Sequence, residues 1–76
     1  MEEKLRALMA DLLQLKPEQI TDALAMRETE TWDSLKHMEV IVTIEKTFNL
    51  ELTFDEIVAM RTFGEIKRIV ASRSAS

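Results

Sequence analysis

In 76 residues the chain has one glycine (Gly64), one proline (Pro17) and no cysteine. Tight turns call for glycine and proline, so a succession of hairpins or Greek-key strands is excluded in favour of a few long elements. Without cysteine there can be no disulfide and no thiolate metal site. The single histidine, His37, is too few for an imidazole site. A domain of this size hides only about 60% of its unfolded surface, so dense packing must do what staples do elsewhere. At 46% apolar and 32% charged residues, the chain has the balance of a globular domain rather than a disordered one. Its apolar runs are too short to span a bilayer, and Met1-Glu2-Glu3-Lys4 does not begin a signal peptide. A cytoplasmic location is expected.

Leu5, Leu8, Met9, Leu12 and Leu15 recur at three- and four-residue steps, which predicts an amphipathic helix over about 3–15. Glu2 and Glu3 suit its positive end, and Lys16-Pro17 stops it. Residues 16–32 carry no sustained period, although Ile20, Leu24 and Met26 should hold this long loop down on the core; a single turn around Asp22–Met26 is compatible with it. A second helix is expected from Ser34, with Asp33 as N-cap. Leu35, Met38, Val40, Ile41, Val42, Ile44 and Phe48 cover a broad arc of it, which predicts a central position. Asn49 can take the left-handed conformation past its end. Two capping boxes follow, Thr53 with Glu56 and Thr62 with Glu65, each satisfying first-turn N–H groups. The first opens a short helix through Met60. The second opens a helix with Phe63, Ile66, Ile69 and Val70 at helical spacing. Residues 72–76 read as a frayed tail. The expected fold is all-α: one domain over 1–76, core about 3–71, a small four-helix bundle of three longer helices and one short one.

The net charge of −4 argues against nucleic acid as a partner. Its distribution says more. Residues 1–33 hold eight acids and four bases, and residues 34–76 hold six of each. The acidity lies mostly in Glu18, Asp22, Glu28, Glu30 and Asp33.

Ser34 and His37 lie three apart, a superficial dyad, but so short a chain has little left from which to build an oxyanion hole and a cleft. His37 reads instead as a partly exposed first-turn side chain, able to touch a partner. Glu28, Glu30 and Asp33 lack the alternation and mid-loop glycine of a calcium loop and read as a solvated acidic loop. Ser34 sits where unpaired N–H groups and the helix dipole favour an anion such as phosphate, with Trp32 and Leu35 apolar on either side. The alternative is a serine that merely caps the backbone.

Asp33-Ser34-Leu35 heads a mostly apolar helix containing Glu39. That helix closes on Ile44-Glu45-Lys46-Thr47-Phe48, followed by Asn49-Leu50-Glu51-Leu52, a short acidic helix and Arg61-Thr62-Phe63. Over about residues 3–71 this order resembles the acyl carrier proteins of the discrete, single-domain kind. The resemblance implies a non-catalytic carrier. In that family the serine of the triplet receives a 4′-phosphopantetheine arm from coenzyme A through a separate phosphopantetheinyl transferase. Ser34 would be the attachment site, Asp33 part of the transferase's recognition and Leu35 the anchor beneath the arm. An acyl chain would rest among Met38, Ile41, Ile57, Met60 and Phe63, which otherwise read as ordinary core. Partners would be the transferase, an acyl-loading ligase or acyltransferase and downstream synthase enzymes, with the carrier a monomer that does not insert in membranes.

Two departures qualify the resemblance. Carriers of primary fatty-acid synthesis show an acidic second helix. Here the expected surface stripe is Lys36, Glu39, Thr43, Lys46 and Thr47, which carries one net positive charge. Trp32 replaces the usual small residue before the triplet, with Thr31 where glycine is common; Trp32 is also a candidate partner contact. Together they resemble specialised carriers of secondary-metabolite or surface-polysaccharide pathways. A general fatty-acid carrier and an unmodified, carrier-like interaction module are the alternatives.

Overall fold

α1 (Glu2–Leu13) presents Leu5, Met9, Ala10 and Leu13 to the core at steps of four, one and three residues. The computed structural model, which describes residues 1–74, ends this helix two residues earlier than its periodicity predicts. Gln14 adopts the left-handed conformation (φ 60°) and the Leu15 N–H donates back to the Ala10 carbonyl at 2.9 Å. Leu15 keeps the helical spacing because it folds back on the core from outside the helix, as the apolar residue after such a cap commonly does.

The long connection is a clamp. Pro17–Gln19 forms one 3-10 turn and Met26–Glu28 another, and between them is a turn in which the Leu24 N–H donates to Thr21 O at 3.0 Å. Ile20 is buried. The segment then pairs with the stretch before the last helix: Met26 N–H donates to Arg61 O (2.9 Å), Phe63 N–H to Leu24 O and Gly64 N–H to Asp22 O (both 3.0 Å). Ala25 and Thr62 form an isolated antiparallel bridge, and among the described residues there is no longer strand. A Cβ on Gly64 would meet Asp22 O at 3.2 Å, so this close approach needs the glycine.

α2 (Ser34–Phe48) starts at its Asp33 cap and stops at Asn49, left-handed at φ 53°. It buries His37, Val40, Ile41 and Ile44. The broad apolar arc is therefore only partly inward: Leu35, Met38 and Val42 are 76%, 49% and 43% exposed. At about 100° per residue they lie roughly 140° around the helix from the buried stripe, on the solvent side. α3 (Phe54–Ala59) opens with the complete Thr53/Glu56 capping box and buries no residue. α4 (Phe63–Ser74) buries Phe63, Ile66, Ile69 and Val70. It runs through residues 72–74, which the sequence suggested as tail, because Arg73 donates to both carboxylate oxygens of Glu56 on α3 at 2.8 and 2.6 Å. Ala75 and Ser76 lie outside the described residues.

The architecture is the expected helical bundle of three longer helices and one short one. Its core joins Leu5, Met9 and Leu13 of α1 to the buried faces of α2 and α4, with Ile20, Trp32 and Met60 from the connections.

Candidate functional site

Ser34 is the first helical residue of α2 and is exposed. The capping work falls to its neighbour. Asp33 Oδ1 accepts the Lys36 N–H at 2.7 Å, and the Asp33 carbonyl accepts the His37 N–H at 2.8 Å. The Ser34 hydroxyl makes no hydrogen bond among the described residues. It stands free at the positive end of a fifteen-residue helix, where an attached anion is favoured. Serine as a mere cap is thereby set aside.

A half-open cavity of about 520 Å³ adjoins it, within the roughly 300–1,000 Å³ typical of small-molecule sites. The cavity is lined by Trp32, Asp33 and Ser34 at the start of α2, by Ala25, Met26 and Arg27 of the clamp, and by Arg61 and Thr62. An exposed nucleophilic hydroxyl at a helix start, beside a cavity of this size, fits a phosphate-linked arm.

Within the cavity wall Trp32 is buried. Its Nε1–H donates to His37 Nδ1 at 3.0 Å. That bond makes Nδ1 the acceptor and assigns the ring proton to Nε2, 3.0 Å from the Ile57 carbonyl of α3. His37 is thus a buried strut between the loop and α3, and neither it nor Trp32 can touch a partner as the sequence suggested. Burial of Trp32 also explains why the position before the triplet can be large. Its pairing with His37 signals itself only as an aromatic donor five residues before an imidazole.

Of the other expected site residues, Ile41, Met60 and Phe63 are fully buried in the core and Ile57 is half-buried. None lines the cavity beside Ser34. Met38 points outward and cannot line an internal chain site. Leu35 is likewise not beneath the site: with Met38, Glu39, Val42 and Thr43 it lines a shallow groove of about 340 Å³ on the outer face of α2. Around that groove Lys36 pairs with Glu39 at 3.3 Å, Thr43 Oγ1 donates to the Glu39 carbonyl at 2.8 Å, and Lys46 is exposed without an ion pair among the described residues.

Glu28 and Glu30 are exposed and make no ion pair among the described residues, as a solvated loop should, but Asp22 earlier in the connection is engaged. Asp22 pairs with Lys67 of α4 at 2.6 Å, and Lys67 also reaches Glu2 at 3.4 Å. The hydrogen bond to Asp22 holds the Lys67 ammonium above its ordinary range. Glu2 is held below its own, first by Arg6. Glu28, Glu30 and Asp33 do not come together as a ligand set among the described residues.

The family model described as the phosphopantetheine attachment site matches residues 3–70, nearly the whole chain. The chain belongs to the phosphopantetheine-attachment family of carrier proteins. The acyl carrier protein of Chlamydia muridarum (strain MoPn / Nigg) is 27% identical over 73 residues, 96% of this chain and 95% of that protein. That of Thermosynechococcus vestitus is 27% identical over 74 residues, 97% and 91%. That of Chlamydia trachomatis serovar D is 29% identical over 73 residues, 96% and 95%. The carrier is a non-enzymatic protein whose prosthetic group is covalently bound 4′-phosphopantetheine. Among the described residues no helix is long and apolar enough to cross a membrane.

Proposed function

We propose that this carrier bears its arm on Ser34 and presents acyl intermediates to successive cytoplasmic enzymes as a single, monomeric domain. The observation that carries the reading is the division of labour at the start of α2: Asp33 caps the helix and leaves the Ser34 hydroxyl exposed and unbonded. In the attachment step the Ser34 oxygen forms a bond to the phosphorus bearing the pantetheine half of coenzyme A. The pyrophosphate bond breaks, the adenosine bisphosphate half leaves, and the hydroxyl proton passes to a base of the transferase. The arm's terminal thiol then supplies a thioester for the acyl group. The protein's part is to hold the anionic link over the N–H groups of Ser34 and Leu35, which lack intrahelical partners, and to raise the effective concentration of the tethered cargo.

Leu35, Met38 and Val42 form an apolar ridge for docking enzymes, bordered by Glu39, Thr43, Lys36 and Lys46. Lys36 is already neutralised by Glu39, so the surplus charge of this face is Lys46. Charge complementarity sets association rate and partner choice. The absence of an acidic stripe favours enzymes of a specialised pathway, secondary-metabolite or surface-polysaccharide, over those of primary fatty-acid synthesis.

Intact mass after incubation with coenzyme A and a broad-specificity phosphopantetheinyl transferase tests the assignment. The expected result is one added arm on the parent chain and none on Ser34→Ala. No addition to the parent, or an addition that survives in the variant, refutes it.

A further inference from the structure

The chain has five arginines. Three are engaged by acids: Arg6 with Glu2 at 2.9 Å, Arg68 with Glu65 at 2.6 Å and Arg73 with Glu56 at 2.6 Å. The other two, Arg27 and Arg61, make no side-chain hydrogen bond or ion pair among the described residues. Both line the cavity beside Ser34. Arg27 remains unpaired although Glu28 and Glu30 are near it in sequence.

The two guanidinium groups are held by tied backbone. Arg27 lies in the 3-10 turn Met26–Glu28, and Arg61 directly precedes the Ala25–Thr62 bridge on the opposite segment, its carbonyl accepting the Met26 N–H. Both arginines line the same cavity as Asp33 and Ser34, with Ala25, Met26 and Trp32 supplying apolar wall. An apolar cavity with two unpaired forks is suited to a short chain ending in a carboxylate, which guanidinium binds bidentately. The phosphodiester is a poorer candidate, because its attachment at Ser34 places it at the start of α2, where unpaired N–H groups already favour it.

We propose that this cavity is a cargo site, in which Arg27 and Arg61 hold the free carboxylate of a dicarboxylic acyl group folded back from Ser34. The inference rests on attachment of the arm at Ser34, and its test separates the two. The apo chain is loaded at Ser34 by a broad-specificity transferase from glutaryl- or pentanoyl-coenzyme A, which gives acylated arms equal in length and differing in the terminal carboxylate. Thioester cleavage by hydroxylamine is followed by intact mass, and the arginine Nε–H resonances by NMR.

The expected result is cleavage about fivefold slower for glutaryl than for pentanoyl, the scale of two solvent-accessible ion pairs, with arginine Nε–H shifts for glutaryl alone. In Arg27→Gln/Arg61→Gln the ratio should fall to about one. Both side chains are exposed, so circular dichroism should report an intact fold, and Arg27→Lys/Arg61→Lys should keep part of the difference. Equal rates in the parent overturn the proposal, as does protection that survives the double glutamine variant. A double variant that speeds pentanoyl cleavage as much as glutaryl cleavage also overturns it, since the arginines would then act on the arm. Failure of the arm to attach at all is a different result and strikes the Ser34 assignment first.

Discussion

Replacing His37 with leucine should loosen the site by releasing α3. The helix has six residues, packs on the core only through the half-buried Ile57, and otherwise depends on polar ties. These are the His37 Nε2 bond to Ile57 O at 3.0 Å, the acceptance of the Leu52 N–H by Glu45 Oε2 at 2.9 Å, and the two bonds from Arg73 to Glu56. Leucine fills much of the imidazole's space but orphans two groups. The Trp32 Nε1–H is buried and costs about 1–3 kcal/mol unsatisfied. The Ile57 carbonyl is only part-buried and water can reach it, so about 0.5–1.5 kcal/mol is lost there. Added apolar burial offsets about 1 kcal/mol, leaving a net loss of about 0.5–3.5 kcal/mol. In a domain this small that lowers Tm by about 2–28 °C.

The assay is urea unfolding, followed for His37→Leu by the fluorescence of Trp32, the only tryptophan, and across a cycle with Trp32→Phe by circular dichroism. Each single variant strands one partner of the Trp32–His37 bond, whereas the double variant strands neither. The double variant should therefore cost at least about 1 kcal/mol less than the singles added together. Hydrogen exchange should quicken in α3 while α1 stays protected. A His37→Leu chain as stable as the parent, or a cycle additive within about 0.5 kcal/mol, would show that the strut holds nothing.

Three further outcomes follow from the same geometry. The Glu56 carboxyl is lowered to about 2, first by the Arg73 guanidinium and then by the Thr53 N–H. A depressed folded-state value makes its contribution complete above the ordinary carboxylate value of 4.5 and lost as pH falls toward about 2; the stability gap between parent and Glu56→Gln should close over that window, and a gap unchanged at pH 2 contradicts the pairing. Gly64→Ala gains up to about 1 kcal/mol of helix propensity but drives a methyl against Asp22 O at 3.2 Å in a loop pinned by backbone bonds, so a lower Tm is expected and a higher one would mean the clamp yields. Lys36→Glu with Lys46→Glu should speed loading by enzymes of primary fatty-acid synthesis; unchanged or slower loading removes the charge argument for a specialised pathway.

How far the site was legible depended on whether local signals decided it. Asp33 and the Thr53 and Thr62 caps are local, since each side chain accepts an N–H three residues away, and Asn49 is local because its own backbone turns left-handed; the element order follows from them. The outer face of α2 is different. Leu35, Met38 and Val42 are as apolar as Val40 and Ile41, and only the direction in which α1 and α4 approach decides which stripe is covered. Trp32 and His37 were misplaced because their partners lie on separate elements: an imidazole next to the first turn reads as exposed until α3 is folded over it. Arg27 and Arg61 are 34 positions apart in sequence. They share a cavity through the clamp's bonds to the segment before α4, which no periodicity announces.

The same bonds bear on why Ser34 can be handed between enzymes without the fold loosening around it. Its helix is anchored by Val40, Ile41 and Ile44 in the core and by the Asp33 cap, so the attachment point is fixed by apolar packing. The rest of the cavity lining is fixed by backbone pairing and by the buried Trp32. The least anchored helix is α3, which buries no residue fully, packs on the core through the half-buried Ile57 and leaves Phe54 and Val58 exposed. An enzyme docking on the ridge of α2 therefore meets a rigid helix carrying the serine and a neighbouring helix held by separable polar bonds. Movement on docking should concentrate in α3, at the cost of the His37–Ile57 and Arg73–Glu56 ties, while the geometry at Ser34 is preserved.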